Sequence, residues 1–302
     1  MSSIQVNNIS KRFGETLAVD NVTFNVNPGE IFGLLGPNGA GKTTALRIIL
    51  DIFKPDSGTV SVLDGPMTEA KKNLIGYLPE ERGLYQDIPL DRCLHFLALL
   101  KGMETDLADH CIETFLRRFD LAEVRKKKVK ELSKGMQQKA QLITTLVHDP
   151  LLLIIDEPFS SLDPVNTQMV KDLLIEERNK GKAIIMCTHQ MNQVEQLCDR
   201  LVLIDHGKVV LEGSLANIRR QFASRDVLVR TPLLLPDDLP GVEALVPHNG
   251  RTKLIVKDNV TTQEILATLV QRGIQLEEFE IAIPSLDEIF IKVVQNKGQE
   301  NV

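Results

Sequence analysis

The residues best equipped for chemistry lie at positions 36–44: Gly36, Pro37, Asn38, Gly39, Ala40, Gly41, Lys42, Thr43 and Thr44. Glycines at this spacing let the backbone wrap a phosphate and turn its N–H groups inward. Lys42 can then reach the β- and γ-phosphates, and the Thr43 hydroxyl can ligate Mg²⁺. A helix beginning near Lys42 adds its N-terminal dipole to the same phosphates. A second signal is the acidic pair Asp156 and Glu157, which closes the apolar run Leu151–Ile155. Alone, two acids at a strand end read as a cap or a solvated turn. Beside a phosphate loop they read as a carboxylate for Mg²⁺, Asp156, and one that polarises a water near the γ-phosphate, Glu157.

These groups need a scaffold that ends several strands at one place. IFGLL (31–35) reads as a strand running into the glycine-rich loop, and TTALRIIL after it reads as a helix. Leu151–Ile155 does not alternate, which suits a strand buried on both faces of a parallel sheet. Strands at 183–187 and 200–204 alternate with helices at 164–179 and 190–197, so the first 220 or so residues form an α/β domain. Strands at 4–9 and 17–26 flank a turn signal at Lys11–Gly14, and further strands lie at 59–63 and 74–78. Residues 90–121 read as two helices broken near Lys101-Gly102, followed by a helix at 137–147. His206-Gly207 reads as a hairpin turn.

Composition shifts after Phe222. A proline-rich loop lies between strands at 226–230 and 242–246, a strand at 252–257 follows, and a helix opens at Thr261 with Glu264 in capping-box spacing. IQLEEFEIAI (274–283) reads as a strand, and Ser285 with Glu288 opens a last helix. The result is a small α+β domain.

With those motifs placed, the chain resembles the ATP-binding-cassette (ABC) ATPase subunits over about residues 3–220. Leu132–Lys139 resembles the family signature, Ser160-Ser161-Leu162-Asp163 the loop after the second acid, and Thr188-His189 the switch histidine. The resemblance implies a P-loop NTPase α/β domain at 1–222. It would carry an N-terminal antiparallel β subdomain and a helical subdomain at about 88–148, with a C-terminal α+β accessory domain at 223–302. It also implies hydrolysis of ATP with Mg²⁺, and a head-to-tail dimer with a second ATPase subunit, a further copy of this chain or a different subunit, in which Ser133 and Gly135 of one subunit contact the γ-phosphate bound to the other. By position, Lys42, Glu157 and His189 become the catalytic set, Asp163 communicates between sites, and Phe13 stacks on adenine. The motifs depart from the commonest pattern at Lys134, Met136 and Glu80. Glu80 stands where the family usually carries a glutamine near Mg²⁺, so its charge adds repulsion toward Asp156 and Glu157.

Glu80 with Glu81–Tyr85, and the terminal PSLDEIFIKVV, resemble the sodium, antibiotic and multidrug efflux subgroup. That likeness implies export through a separate transmembrane permease, met by residues from Tyr77 to about Met103, with the ATPase on the cytoplasmic face of the membrane. The rival reading is a cassette ATPase acting as a clamp on ribosomes or DNA ends, or a regulator. Its relatives fuse two cassettes or insert a long coiled coil, and this sequence holds one motif set with no heptad insertion.

Composition narrows the field further. The 302 residues carry 35 basic and 41 acidic side chains, a net charge of −6, which argues against broad binding to nucleic acid. With 43% hydrophobic residues the chain is not intrinsically disordered, and with no Trp and two Tyr it has little for base stacking. No apolar run reaches the length of a membrane span, and the first residues lack an apolar leader. Four widely spaced cysteines suit a reducing compartment. The basic run Arg125–Lys128 reads as a solvated helix end.

Overall fold

A computed structural model describes residues 2–81 and 83–300. The chain divides after Leu215 into two compact units, Met1–Leu215 and Ala216–Val302. The centre of the first is a six-stranded sheet in the spatial order Ile75–Leu78, Leu152–Asp156, Ala183–Thr188, Ile31–Leu35, Arg200–Asp205, Lys208–Ser214. Its first five strands run parallel and the last is antiparallel. Leu152, Leu153, Ile154 and Ile155 are all fully buried, as the unbroken apolar run requires of a strand covered on both faces.

A three-stranded antiparallel sheet, Thr16–Val26, Ile4–Phe13, Ser57–Val62, packs its buried residues into the same core. Here the strands outrun their sequence limits. Ile4–Phe13 continues through Lys11, Arg12 and Phe13, and Phe13 pairs with Thr16, so the turn is only Gly14 and Glu15. Gly14 takes the left-handed position at φ 57° that so short a loop demands. Register shifts near Asn8 and Asn21, both at positive φ, break the two-residue alternation that would have announced this length.

Helices Leu90–Leu100 and Thr105–Arg118 part at Gly102, which sits at φ 82°, as the Lys101-Gly102 break indicated. The next helix is Lys134–Leu146, three residues longer at its start than the apolar pattern gave, because Ser133 caps it: its Oγ accepts from Met136 N at 3.2 Å. The first half of the preceding basic run is neutralised locally. Arg125 pairs with Glu113 at 2.6 Å and Lys126 with Asp91 at 2.6 Å, leaving no basic patch of the run's full charge.

The second unit holds a four-stranded antiparallel sheet, Val242–His248, Arg251–Val256, Val227–Arg230, Glu278–Ile281. Helix Thr262–Gln271 closes its core through Ile265 and Leu269. Thr261 and Glu264 form both halves of the expected capping box, with Thr261 N donating to Glu264 Oε2 at 2.8 Å. The strand expected over 274–283 shrinks to Glu278–Ile281. Its partner Val227–Arg230 is four residues long, and Ile274 N still closes the preceding helix onto Leu269 O.

Candidate active site

Three parallel strands end side by side. Leu35 lies opposite Thr188, and Asp156 opposite Cys187, so the phosphate loop, the acidic pair and the Thr188-His189 step leave the sheet at its carboxyl edge. This is where open α/β sheets bind ligands. The cavity there is about 300 Å³, lined by Ala18, the loop from Asn38 to Thr44, Glu80, Asp156 and Glu157.

The loop's backbone explains its glycines. Gly36 sits at φ 148° and Gly41 at φ 105°. A Cβ on Gly36 would lie 2.1 Å from Ile204 O and one on Gly41 2.2 Å from Ala18 O, contacts no side chain makes. Gly41 caps the N-terminus of helix Lys42–Ile49, whose first amides face the cavity with no acidic residue in the opening turn. Lys42 is buried, with Nζ donating to Gly36 O at 2.7 Å and Pro37 O at 2.9 Å. The ammonium is therefore held inside the loop it would serve.

Asp156 is 3% exposed, and its Oδ2 has no hydrogen-bond partner. Burial pushes its carboxyl above the usual carboxylate range. Glu80 and Glu157 push the same way, while a hydrogen bond from Cys187 and the charge of Lys42 oppose them. An unsatisfied buried carboxylate oxygen in a cavity that Thr43 also lines is the donor set expected for a cation that takes its remaining ligands from phosphates and water. The residues present therefore fit Mg²⁺ carried in with a nucleotide. Among the described residues no group of three or more His, Cys, Asp or Glu could hold a metal alone.

A raised native pKa has a consequence for stability. Between the unfolded and native values the native state binds more protons, so without ligand this group's contribution to stability falls as pH rises through that window. Asp156→Asn is expected to flatten that part of the dependence. Thermal unfolding of both proteins at pH 4.5 and pH 7, free of nucleotide and divalent cation, checks it, and an identical pH response in the two would refute it.

Glu157 stands at φ 50°, a strained position for a non-glycine residue, and consecutive residues of the neighbouring strand end hold it there. Its N–H donates to Cys187 O at 2.9 Å. Its Oε2 accepts from Thr188 Oγ1 at 3.0 Å, and its Oε1 accepts from His189 N at 3.0 Å and meets His189 Nδ1 at 2.6 Å. The His189 ring remains half-exposed. This arrangement can orient a water on the cavity side of Glu157 and present the imidazole to the same region.

Other residues singled out from the sequence lie outside the cavity lining. Ser133 and Lys134 are exposed, and a Cβ on Gly135 would stand 3.3 Å from Ser161 O, so the signature borders the 160–163 loop. Asp163 is exposed and caps helix Pro164–Asn179, accepting from Asn166 N at 2.9 Å, which holds its carboxyl below the usual range. Phe13 is 45% exposed, edge-on to Phe53 with ring centroids 5.4 Å apart. Ala18, Cys187 and Thr188 were not among the expected site residues. Only Thr188 carried a signal, as the hydroxyl next to His189 at a strand end.

Comparison with known proteins identifies the relatives of the chain. The family model described as ABC transporter matches residues 19–160, and that described as ATP-binding protein DrrA1-3-like, C-terminal domain, matches residues 213–294. The ABC transporter ATP-binding protein YhaQ of Bacillus subtilis is 40% identical over 96% of this chain and 98% of its own length. Nod factor export ATP-binding protein I of Burkholderia lata is 36% identical over 71% of each chain. A solved ATP-binding subunit of an ABC transporter superposes with a TM-score of 0.69 at 31% identity, covering 73% of this chain and 93% of its own. CbiO1 of Clostridium perfringens, part of the ABC transporter complex cbiONQ, gives 0.62 at 25% identity over 73% of this chain and 94% of its own. No described helix is long and apolar enough to cross a membrane. The chain belongs to the ATP-binding subunits of ABC transporters, which are ATPases, and carries a C-terminal domain of the DrrA1-3-like kind.

Proposed function

We propose that this chain hydrolyses Mg-ATP as one half of a head-to-tail pair of identical subunits on the cytoplasmic face of the membrane, and that closing and reopening of the pair drives export through a separate permease. The reaction is in-line attack of water on the γ-phosphate. Glu157 orients and polarises the water, His189 bonds the γ-phosphate, and Lys42 with the loop amides of 36–44 gathers the charge that builds on the leaving oxygens. Thr43, Asp156 and Glu80 are the residues that would hold Mg²⁺, whose chemistry is to neutralise the β- and γ-phosphate oxygens. The half-exposed face of Phe13 suits stacking on adenine, and Asp163 couples the two sites.

The observation that carries this reading is the division of the chemistry. Phosphate loop and paired acids converge on one cavity, with His189 held against Glu157, whereas exposed Ser133 and half-buried Gly135 sit at a helix start outside it. A helix N-terminus with a free hydroxyl face is suited to a γ-phosphate held by another subunit. Export is supported by the similarity to a Nod factor export ATP-binding protein and to a DrrA-like C-terminal domain.

The test is affinity capture of tagged Glu157→Gln protein with ATP from detergent-solubilised native membranes. A multi-span membrane protein is expected at fixed stoichiometry. Recovery of this chain alone, or with ribosomes or DNA-bound proteins, from a verified membrane extract would sink the transport reading.

A further inference from the structure

The end of strand Ala183–Thr188 offers Glu157 more than a histidine. Thr188 is fully buried, and among the described residues its hydroxyl is the one side-chain donor to Glu157 besides the imidazole. A threonine hydroxyl has one proton and two lone pairs. Here Oγ1 accepts from Gln190 N at 3.1 Å, an ST-turn contact that uses a lone pair, and it lies 3.0 Å from Glu157 Oε2. The carboxylate supplies no proton, so the hydroxyl proton must point at Oε2. The Gln190 amide thus sets the direction in which Thr188 donates.

We propose that Thr188 is a positioning residue for hydrolysis: its hydroxyl, aimed by the Gln190 amide, fixes the rotamer of Glu157 so that the carboxylate presents a constant edge to the attacking water. The proposal rests on Glu157 being the group that handles that water. Two further features make a dedicated clamp necessary. Glu157 follows a buried strand but sits at φ 50°, so its side chain leaves the sheet at an angle the strand does not determine. The His189 ring is 53% exposed, so a turn toward a nucleotide would take its Nδ1 contact away from Glu157 and leave only the backbone N–H. Thr188 does not move with it, because Leu35 and Asp156 hold the strand end on either side.

The test compares Thr188→Val, which keeps the shape and removes the donor, with Thr188→Ser, which keeps the donor. Both are assayed in the full chain for kcat, KM, nucleotide binding and unfolding temperature. Thr188→Val is expected to lower kcat about ten-fold, the effect of losing one hydrogen bond to a charged group, with KM and nucleotide affinity unchanged. Thr188→Ser is expected to retain most of the rate. In a Glu157→Gln background the valine should cost nothing further, because the two residues act through one step. Equal rates for valine and wild type, equal losses for serine and valine, or full additivity with Glu157→Gln would each overturn the proposal. Should Thr188→Val fail to fold, Thr188→Ala replaces it in the same cycle. Glu157→Gln assayed alone keeps the two ideas apart. If it hydrolyses normally, the role of Glu157 itself fails; if it is inactive while Thr188→Val is normal, only the clamp fails.

Discussion

Glu157→Gln is expected to lower ATP turnover by about 10²–10⁴-fold while leaving ATP binding within a few-fold of wild type. The substitution changes one oxygen to an amide and keeps the shape of a side chain that is nine-tenths buried. The phosphate loop and Lys42 are untouched by it, so affinity should persist. What is lost is an acceptor-only carboxylate. Glutamine can still accept from His189 N through its carbonyl, but its NH₂ would face the Thr188 hydroxyl, whose proton already points that way. Nothing remains to take a proton from water. Phosphate release under single-turnover conditions, with fluorescent-nucleotide binding in parallel, separates the two effects. Turnover near wild type would remove Glu157 from the chemistry and leave His189 or the phosphate itself to handle the water.

Half of this site could be read from the sequence for a physical reason. A phosphate loop is a backbone structure, and backbone structures that need left-handed or crowded residues write themselves as glycines. Gly36 and Gly41 leave no room for a Cβ for that reason. The strand Leu152–Asp156 was equally legible, since burial on both faces removes alternation and leaves an apolar run with its acids at the end. Cys187 and Ala18 were not legible as site residues, and Thr188 only as the neighbour of His189. Each matters through a residue distant in sequence, 31 positions in the case of Thr188 and Glu157, and only strand register brings them together. The first hairpin erred in the same direction. Arg12 and Phe13 carry turn-like neighbours, yet pairing with Leu17 and Thr16 keeps them in the strand and moves Phe13 to its tip.

The other half of the chemistry was legible as motifs but not as a place. Ser133 is spent within this chain on capping its own helix, accepting from Met136 N, and it remains exposed. Its hydroxyl keeps a donor for an outside acceptor while the cap fixes its direction. Capping and recognition of a phosphate are thus served by one geometry, because both use the amides at a helix start.

Gly41→Ala is the second large effect expected, and it acts through the scaffold. Gly41 lies where three segments meet. Its added Cβ would stand 2.2 Å from Ala18 O and 3.5 Å from Gly207 Cα, with the backbone at φ 105°. Those neighbours cannot yield independently. Gly207 N donates to Ala40 O at 2.9 Å and Asp20 N donates to Gly207 O at 2.8 Å, so the phosphate loop, the hairpin at His206-Gly207 and strand Thr16–Val26 are tied together. Moving Ala18 displaces part of the cavity wall, and moving Gly41 rotates the first amides of helix Lys42–Ile49. Overpacking with a disfavoured φ should cost about 2–5 kcal/mol of stability. Displacing the loop amides should also weaken nucleotide binding, since N–H groups at a helix start are what hold a phosphate there. Gly39→Ala supplies the contrast, because at φ 79° its Cβ meets nothing within 4 Å and only the backbone preference is lost. Unfolding temperature and nucleotide affinity, measured for both variants, should therefore place Gly41→Ala well below Gly39→Ala on each scale. Equal losses would mean that positive φ alone governs the loop and that the junction with Ala18 and Gly207 contributes nothing.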